Sequence, residues 1–241
     1  MEYTFHHVGD HGLCVAFANE ISLSTNQKVC ALKMALEQRS IYGIQELIPT
    51  YRSLLILYDP FLVQWQGIKA AVEECIGNLG KIQPTKTIIT EIPVLYEGEF
   101  ALDLEDIAKT ENKTVEEIIR IHSGSDYYVY MLGFSPGHPY TARFETPFSF
   151  GRRTSPRIRI PGGSVVVQRE QSNITPFEQP CGWYVIGSTP LRMCDYRHEN
   201  PFLLQAGQWV RYVPVDRGEF MEIKRQVELD CYQCRTYEKE V

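Results

Sequence analysis

The sequence predicts an α+β N-terminal domain followed by a mainly-β barrel or sandwich with a terminal helix. Three observations point there. Turn-forming residues shift along the chain: the first ninety residues hold 6 Gly and 3 Pro, whereas residues 91–241 hold 11 of each, so the architecture changes near position 90. Before that point helical and strand-like patterns alternate. After it, residues 127–215 consist of short β-branched and aromatic runs punctuated by Gly and Pro, the pattern of an all-β fold. At ~100–200 residues per domain the 241 residues suit two domains, 1–86 and 87–241.

Taken in order, residues 12–17 read as a strand. Residues 24–38 set Val29, Leu32, Met34 and Leu36 among polar neighbours as a helical face, with Ser24 or Thr25 as the cap. Two strand-like runs follow, 44–49 and 53–58, and then a helix over about 63–79. Strand, helix, strand, strand, helix fits helices packed on one face of a small sheet. Residues 81–86 read as a linker and 87–94 as a strand. A helix pair comes next, one beginning at Asp103 and one at Thr114, where Thr114-Val115-Glu116-Glu117 has capping-box spacing. A helix pair can serve DNA binding, but Glu116 and Glu117 would face phosphate repulsively. Residues 219–229 form the terminal helix, with Phe220, Ile223 and Val227 on one face.

Composition narrows the function. With 44% hydrophobic and 22% charged residues the chain is an ordinary globular sequence, neither disordered nor collagenous. Twenty-four Lys and Arg against 30 Asp and Glu disfavour nucleic acid as a partner. The longest stretch without a charged residue, 127–142, is short for a bilayer and contains two prolines, so no membrane partner is expected. The start, Met1-Glu2-Tyr3-Thr4-Phe5-His6-His7, has neither the basic nor the apolar part of a secretory signal, which predicts a cytoplasmic location. The 7 cysteines read as reduced thiols; Cys231-Tyr232-Gln233-Cys234 offers two thiolates where a structural zinc site needs four, and no metal is expected. No phosphate loop, dinucleotide-binding turn, zinc-protease helix or nucleophile elbow occurs.

Three segments stand out as carriers of chemistry. Gly133-Phe134-Ser135-Pro136-Gly137-His138-Pro139-Tyr140 is a stiff loop that lets a ligand or partner approach the main chain; it reads equally as a turn ending a strand. Residues 151–164 carry Arg152, Arg153, Arg157 and Arg159 before Pro161-Gly162-Gly163-Ser164. They can present guanidinium forks to a carboxylate or phosphate, with Arg157 and Arg159 on one strand face, or simply discourage edge pairing. Pro180-Cys181-Gly182-Trp183 to Thr189-Pro190-Leu191-Arg192 is a Gly-bounded strand; Cys181, with no base in sequence, reads as inert. Asn112-Lys113-Thr114 and Asn173-Ile174-Thr175 match the glycosylation triplet by chance.

These segments, in this order, resemble the allophanate hydrolase subunit 1 family, which includes the B-type subunit of bacterial 5-oxoprolinase and a Kip-type inhibitor of a histidine kinase. The likeness extends to Gly9-Asp10, residues 49–54, Ile92-Pro93-Val94, Asp103-Leu104, His122 and residues 203–213. It implies a cyclophilin-like β-barrel after the N-terminal domain. It also implies a composite site shared with a C-type subunit, the pair working with an A subunit that uses ATP to hydrolyse 5-oxoproline to glutamate; this chain alone would bind no cofactor. A urea or allophanate pathway subunit is a further implied reading. The resemblance places Phe134, Pro136, Gly137, His138, Tyr140, Arg152, Arg157, Ser164, Trp183 and Thr189 in the substrate site and His122 in proton transfer. The Kip-type reading would instead dock Phe134, Pro136, Pro139 and Tyr140 on a histidine kinase. The chain departs from the family pattern at His138, at Ser172-Asn173, at Cys181 and at Ser188, where an aromatic, Thr-Gly, Gly and Arg are usual.

Overall fold

The computed structural model describes residues 2–79, 87–142 and 147–239. Residues 2–79 belong to one compact unit and Thr87–Lys239 to another; the expected linker 81–86 lies outside the described residues.

The first unit is an antiparallel sheet of β1 (Thr4–Val8), β2 (Gly12–Ala16), β3 (Ile44–Pro49) and β4 (Ser53–Tyr58) in the order β1-β2-β4-β3, with helices α1 (Leu23–Arg39) and α2 (Trp65–Asn78). Period-two alternation sends Leu13, Val15, Leu54 and Ile56 to the helix-covered face, where they meet Val29, Leu32 and Leu36 of α1 and Ile68 and Val72 of α2. The cap of α1 is Ser22, not Ser24 or Thr25: its Oγ accepts from the Thr25 N–H at 3.2 Å. Thr25 and Asn26 are instead buried, and Asn26 Nδ2 donates to the carbonyls of Thr50 and Tyr51 at 2.8 and 3.1 Å, tying the helix to the β3–β4 turn. Strand β1 escapes sequence reading because, as an edge strand, it is exposed at nearly every position and shows no alternation.

In the second unit the strands are β5 (Thr87–Val94), β6 (Asp126–Leu132), β7 (Pro139–Ala142), β8 (Arg157–Ile160), β9 (Ser164–Gln168), β10 (Gln171–Ile174), β11 (Gln179–Cys181), β12 (Tyr184–Ser188), β13 (Trp209–Pro214) and β14 (Thr236–Lys239). Eight of them form one sheet in the order β12-β9-β10-β7-β6-β13-β5-β14. Leu95, just past β5, and Ser188, at the end of β12, exchange two backbone hydrogen bonds of 2.9 and 3.0 Å. The sheet therefore curls until its first strand meets its seventh. Helices α3 (Leu104–Thr110) and α4 (Val115–Ser123) contribute Leu104, Ile107 and Ile118 to the core that the sheet encloses with Val129, Val165, Val167 and Ile186. The capping box at α4 forms as its spacing predicts: Thr114 Oγ1 accepts from Glu117 N–H at 3.2 Å and Glu117 Oε2 from Thr114 N–H at 2.8 Å. Helix α5 (Arg217–Glu228), capped by Asp216, buries Phe220 and Ile223 as the pattern requires. Strands β8 and β11 form a separate ribbon whose Ile160, with Cys181 and Trp183, packs on Val166 and Val185 of the large sheet. Since Val165 and Val167 point to the enclosed core, alternation assigns Val166 and the ribbon to the sheet's outer face. Among the described residues no helix is long and apolar enough to cross a membrane.

Candidate functional site

Asp103 organises the free edge of β12. It occupies the cap position of α3, yet its carboxylate makes no bond to that helix. Arg157 grips it bidentately, Nη1 to Oδ2 at 2.6 Å and Nη2 to Oδ1 at 2.7 Å, and Arg153 Nη1 adds a bond to Oδ1 at 2.6 Å. The Val185 N–H donates to Oδ2 at 2.7 Å, while the Asp103 N–H donates back to the Val185 carbonyl at 2.8 Å. The Asp103 side chain is only 2% exposed, and the Arg153 guanidinium lies over the Tyr184 ring. Three segments are thereby joined: the start of α3, the approach to β8, and β12. The carboxylate expected to engage Arg157 is thus the chain's own. Arg159 pairs with Glu178 at 3.0 Å on the exposed ribbon, so the two arginines of β8 serve different acids. Arg152 differs again. It is exposed, its guanidinium lies against Gly182, and among the described residues no carboxylate pairs with it.

The 133–140 loop is held to the outer face. Gly137 has φ +77°, and a Cβ there would stand 2.7 Å from the Met193 carbonyl oxygen, so the loop can pass at this distance only with glycine. His138 is buried between two carboxamides. Asn173 Oδ1 accepts from the Thr141 N–H at 3.0 Å, which turns Asn173 Nδ2 toward His138 Nε2 at 3.3 Å. Gln179 Nε2 lies 3.3 Å from His138 Nδ1, so a carboxamide NH2 faces each ring nitrogen and a neutral ring accepts from one of them. Gln179 is tied to the loop by Ser135 Oγ, which donates to its Oε1 at 2.9 Å. Burial pushes the His138 pKa from the usual 6.5 down to about 4. Below pH 6.5 the unfolded chain takes up a proton that the folded chain refuses, so stability falls as pH drops from 6.5 toward 4. The expected loss is about 3 kcal/mol, at 1.36 kcal/mol per pH unit. Unfolding free energies from urea titration at pH 7.5 and 4.5 should differ by about 2–3 kcal/mol more for the native chain than for His138→Phe; an equal difference would refute the neutral, buried assignment.

Around this loop Phe134 and Pro136 are exposed, Tyr140 and Trp183 are half-buried, and Pro139 is buried. Only two of the four anchors expected for kinase docking are therefore freely presented. The Phe134, His138 and Tyr140 rings form an edge-to-face row with centroids 5.7 and 5.3 Å apart. Burial raises the Tyr140 pKa, with Arg152 opposing it, and also raises the Cys181 thiol against the pull of Arg152 and Arg157. A protonated Cys181, accepting from the Trp183 N–H at 3.3 Å, agrees with its reading as inert.

Ser164 and Thr189 hold turns. Ser164 Oγ donates to the Pro161 carbonyl at 2.8 Å, and Thr189 Oγ1 accepts from the Leu191 N–H at 3.3 Å. Both are buried, and Gly163, at φ +83°, accepts from the Thr189 N–H at 2.8 Å and leaves no room for a Cβ against the Thr189 carbonyl. Ser188 is buried too, its Oγ donating to the Gly163 carbonyl at 3.2 Å.

His122 lies on the other side of the sheet. It is fully buried, with Nδ1 2.6 Å from Tyr96 Oη and Nε2 2.7 Å from Ser172 Oγ, and its ring stacks on Tyr212 at 4.3 Å. Burial raises the Tyr96 and Tyr212 hydroxyls, the latter to about 12. Consecutive residues of β10 thus serve opposite faces: Ser172 reaches inward to His122, Asn173 outward to His138. The structure does not bring the two histidines together, and a proton passing from His122 to the loop would have to cross the sheet. Sequence reading missed Asp103 as a clamp and Gln179 entirely; it marked Ser172-Asn173 as a departure from the family pattern and Asn173 as a chance glycosylation triplet, without giving either residue a partner. Among the described residues no group of three His, Cys, Asp or Glu side chains could hold a metal ion.

Comparison with known proteins adds to this geometry. The profile of the family described as carboxyltransferase domain, subdomain C and D, matches residues 3–204. A Bacillus subtilis (strain 168) protein named as the B-type subunit of 5-oxoprolinase is 34% identical over 94% of this chain and 98% of its own length. The crystal structure of TTHA0988 is 30% identical with a TM-score of 0.73, covering 85% of this chain; the chain spans only 39% of that structure's length. The urea carboxylase of Kluyveromyces lactis superposes with a TM-score of 0.78 over 98% of this chain and 24% of its own, at 18% identity, a likeness of fold alone.

Proposed function

The chain belongs to the carboxyltransferase-domain family of subdomains C and D, and from that premise we propose that it is the B-type subunit of an ATP-dependent 5-oxoprolinase. The near full-length match to a relative named as such a B-type subunit carries the reading. On it, the curled sheet is a cyclophilin-like barrel, and its outer face, with the 133–140 loop, Arg152 and Trp183, joins a C-type subunit to complete the site. An A subunit supplies the ATP-using part, since the sequence holds no phosphate loop. Opening 5-oxoproline adds water across the lactam C–N bond, the carbonyl becoming the side-chain carboxylate of glutamate and the nitrogen its amine. The substrate keeps one carboxylate throughout. Arg157 and Arg153 are held by Asp103, so Arg152 is the guanidinium assigned to that carboxylate. His122, enclosed in the barrel, positions Ser172 and the β10 wall rather than touching substrate.

Reconstitution tests this directly. Purified chain with its C-type and A partners should hydrolyse ATP only when 5-oxoproline is present; absence of that dependence rejects the reading. Arg152→Ala should raise KM about 10–100-fold with kcat much less affected, the loss of a charge-assisted pair worth ~1.5–3 kcal/mol. Histidine-kinase autophosphorylation should be unchanged by saturating chain.

A further inference from the structure

A cavity of about 260 Å³ lies between the 191–203 loop and the segment 227–234 that ends helix α5. None of the residues of the proposed 5-oxoproline face lines it. Its floor is apolar: Leu191, Leu203, Val227, Tyr232 and Cys234 are all part of, or packed against, the enclosed core. Its rim is charged in both senses, with Arg192 and Arg197 beside Asp195 and Asp230.

Partner by partner, the rim is incompletely used. Asp195 is spent: Arg197 binds it through Nε and Nη2, Arg192 through Nη1 at 3.0 Å, and the Arg197 N–H at 3.1 Å. The Arg197 guanidinium holds its carboxyl well below the usual range. Arg192 commits only Nη1, so its Nε–Nη2 edge, the geometry that receives a carboxylate through two parallel bonds, has no partner among the described residues. Asp230 uses only Oδ1, toward His198 Nε2 at 3.1 Å and Arg197 Nη2 at 3.6 Å; among the described residues its Oδ2 accepts nothing. The two arginines and two aspartates cancel, which disfavours a ligand of large net charge. One open guanidinium edge and one open carboxylate oxygen above an apolar floor match a ligand that carries a carboxylate, an ammonium and a short apolar stem.

We propose that this cavity is a second small-molecule site, for a free α-amino acid, with Arg192 receiving the carboxylate and Asp230 the ammonium. The volume, just below the ~300–1,000 Å³ of drug-sized ligand pockets, suits a molecule of this size. The same loop also borders the proposed 5-oxoproline face: Gly137 is close-packed on the Met193 carbonyl, and the Tyr196 ring lies parallel to Phe177 with centroids 6.5 Å apart. Occupancy of the cavity is therefore expected to be felt at the 133–140 loop.

The full chain is titrated by calorimetry with the common L-amino acids and, for each that binds, with its deaminated acid and its decarboxylated amine. At least one amino acid should bind, both analogues should bind tenfold or more weakly, and Arg192→Gln and Asp230→Asn should each weaken binding by a similar factor. Both side chains are substantially exposed, so the variants should melt as the native chain does. No binding by any amino acid up to ~10 mM, a Kd weaker than any ordinary metabolite site, overturns the proposal. So does equal affinity for the deaminated acid, which would mark a plain anion site, or affinity unchanged in both variants. In the native chain, backbone amide shifts at 133–140 should move on saturation.

Discussion

Replacing Asp103 by Asn should lower the stability of the second unit by about 3 kcal/mol, the low end of the 3–5 expected when one partner of a buried ion pair is removed. The low end applies because Arg153 and Arg157 each keep 24% of their side-chain surface exposed and can recover some hydration, whereas Asp103 keeps 2%. Asn can still accept from the Val185 N–H, so the variant isolates charge from hydrogen bonding. At ~2–4 °C per kcal/mol for a domain of this size, the melting temperature should fall by roughly 6–12 °C. Adding Arg153→Gln and Arg157→Gln to Asp103→Asn should restore part of that loss, because the cations left without an anion are then gone. A fall below ~1 kcal/mol, or no recovery in the triple variant, would show that the clamp does not hold these segments together.

The second large effect is expected at His122. His122→Phe replaces one ring by another but strands Tyr96 Oη and Ser172 Oγ in the buried core, at about 1–3 kcal/mol for each unsatisfied group. A loss near 2–4 kcal/mol in urea titration is expected. Removing the stranded groups together with the histidine, as Tyr96→Phe and Ser172→Ala in the same chain, should return most of it. In the reconstituted complex, that triple variant should keep its 5-oxoproline-dependent ATP hydrolysis and its pH profile if His122 acts by positioning. A stable triple variant with no activity, or with one limb of the pH profile missing, would return His122 to proton transfer.

Local signals are legible wherever a residue's role is decided within a few positions. The α4 capping box, the apolar face of α5 and the alternation in β4 all appear as the spacing demands, because a helix or strand imposes its own period on its sequence. The cap of α1 lies two or three residues before the position the pattern suggests, since Ser22, Ser24 and Thr25 carry equivalent hydroxyls and only backbone conformation separates them. Edge strands β1 and β14, exposed along most of their length, carry no period to read.

The candidate site is legible as segments and illegible as partnerships. Arginines gathered between 152 and 159 announce charge, but which of them is left for a ligand depends on Asp103, 54 positions before Arg157. The linear reading gives His122 proton transfer and His138 a place in the substrate site, as parts of one site. The sheet separates them because β10 turns Ser172 inward and Asn173 outward. By itself the sequence determined the two-part architecture, the family and the segments proposed for the site, all of which follow from local pattern and motif order. Only the tertiary structure decided which charges are spent, which histidine is enclosed and which guanidinium stays open, because hydrogen-bond and ion-pair partners are chosen by proximity in space, and proximity here spans 35 to 82 positions of chain.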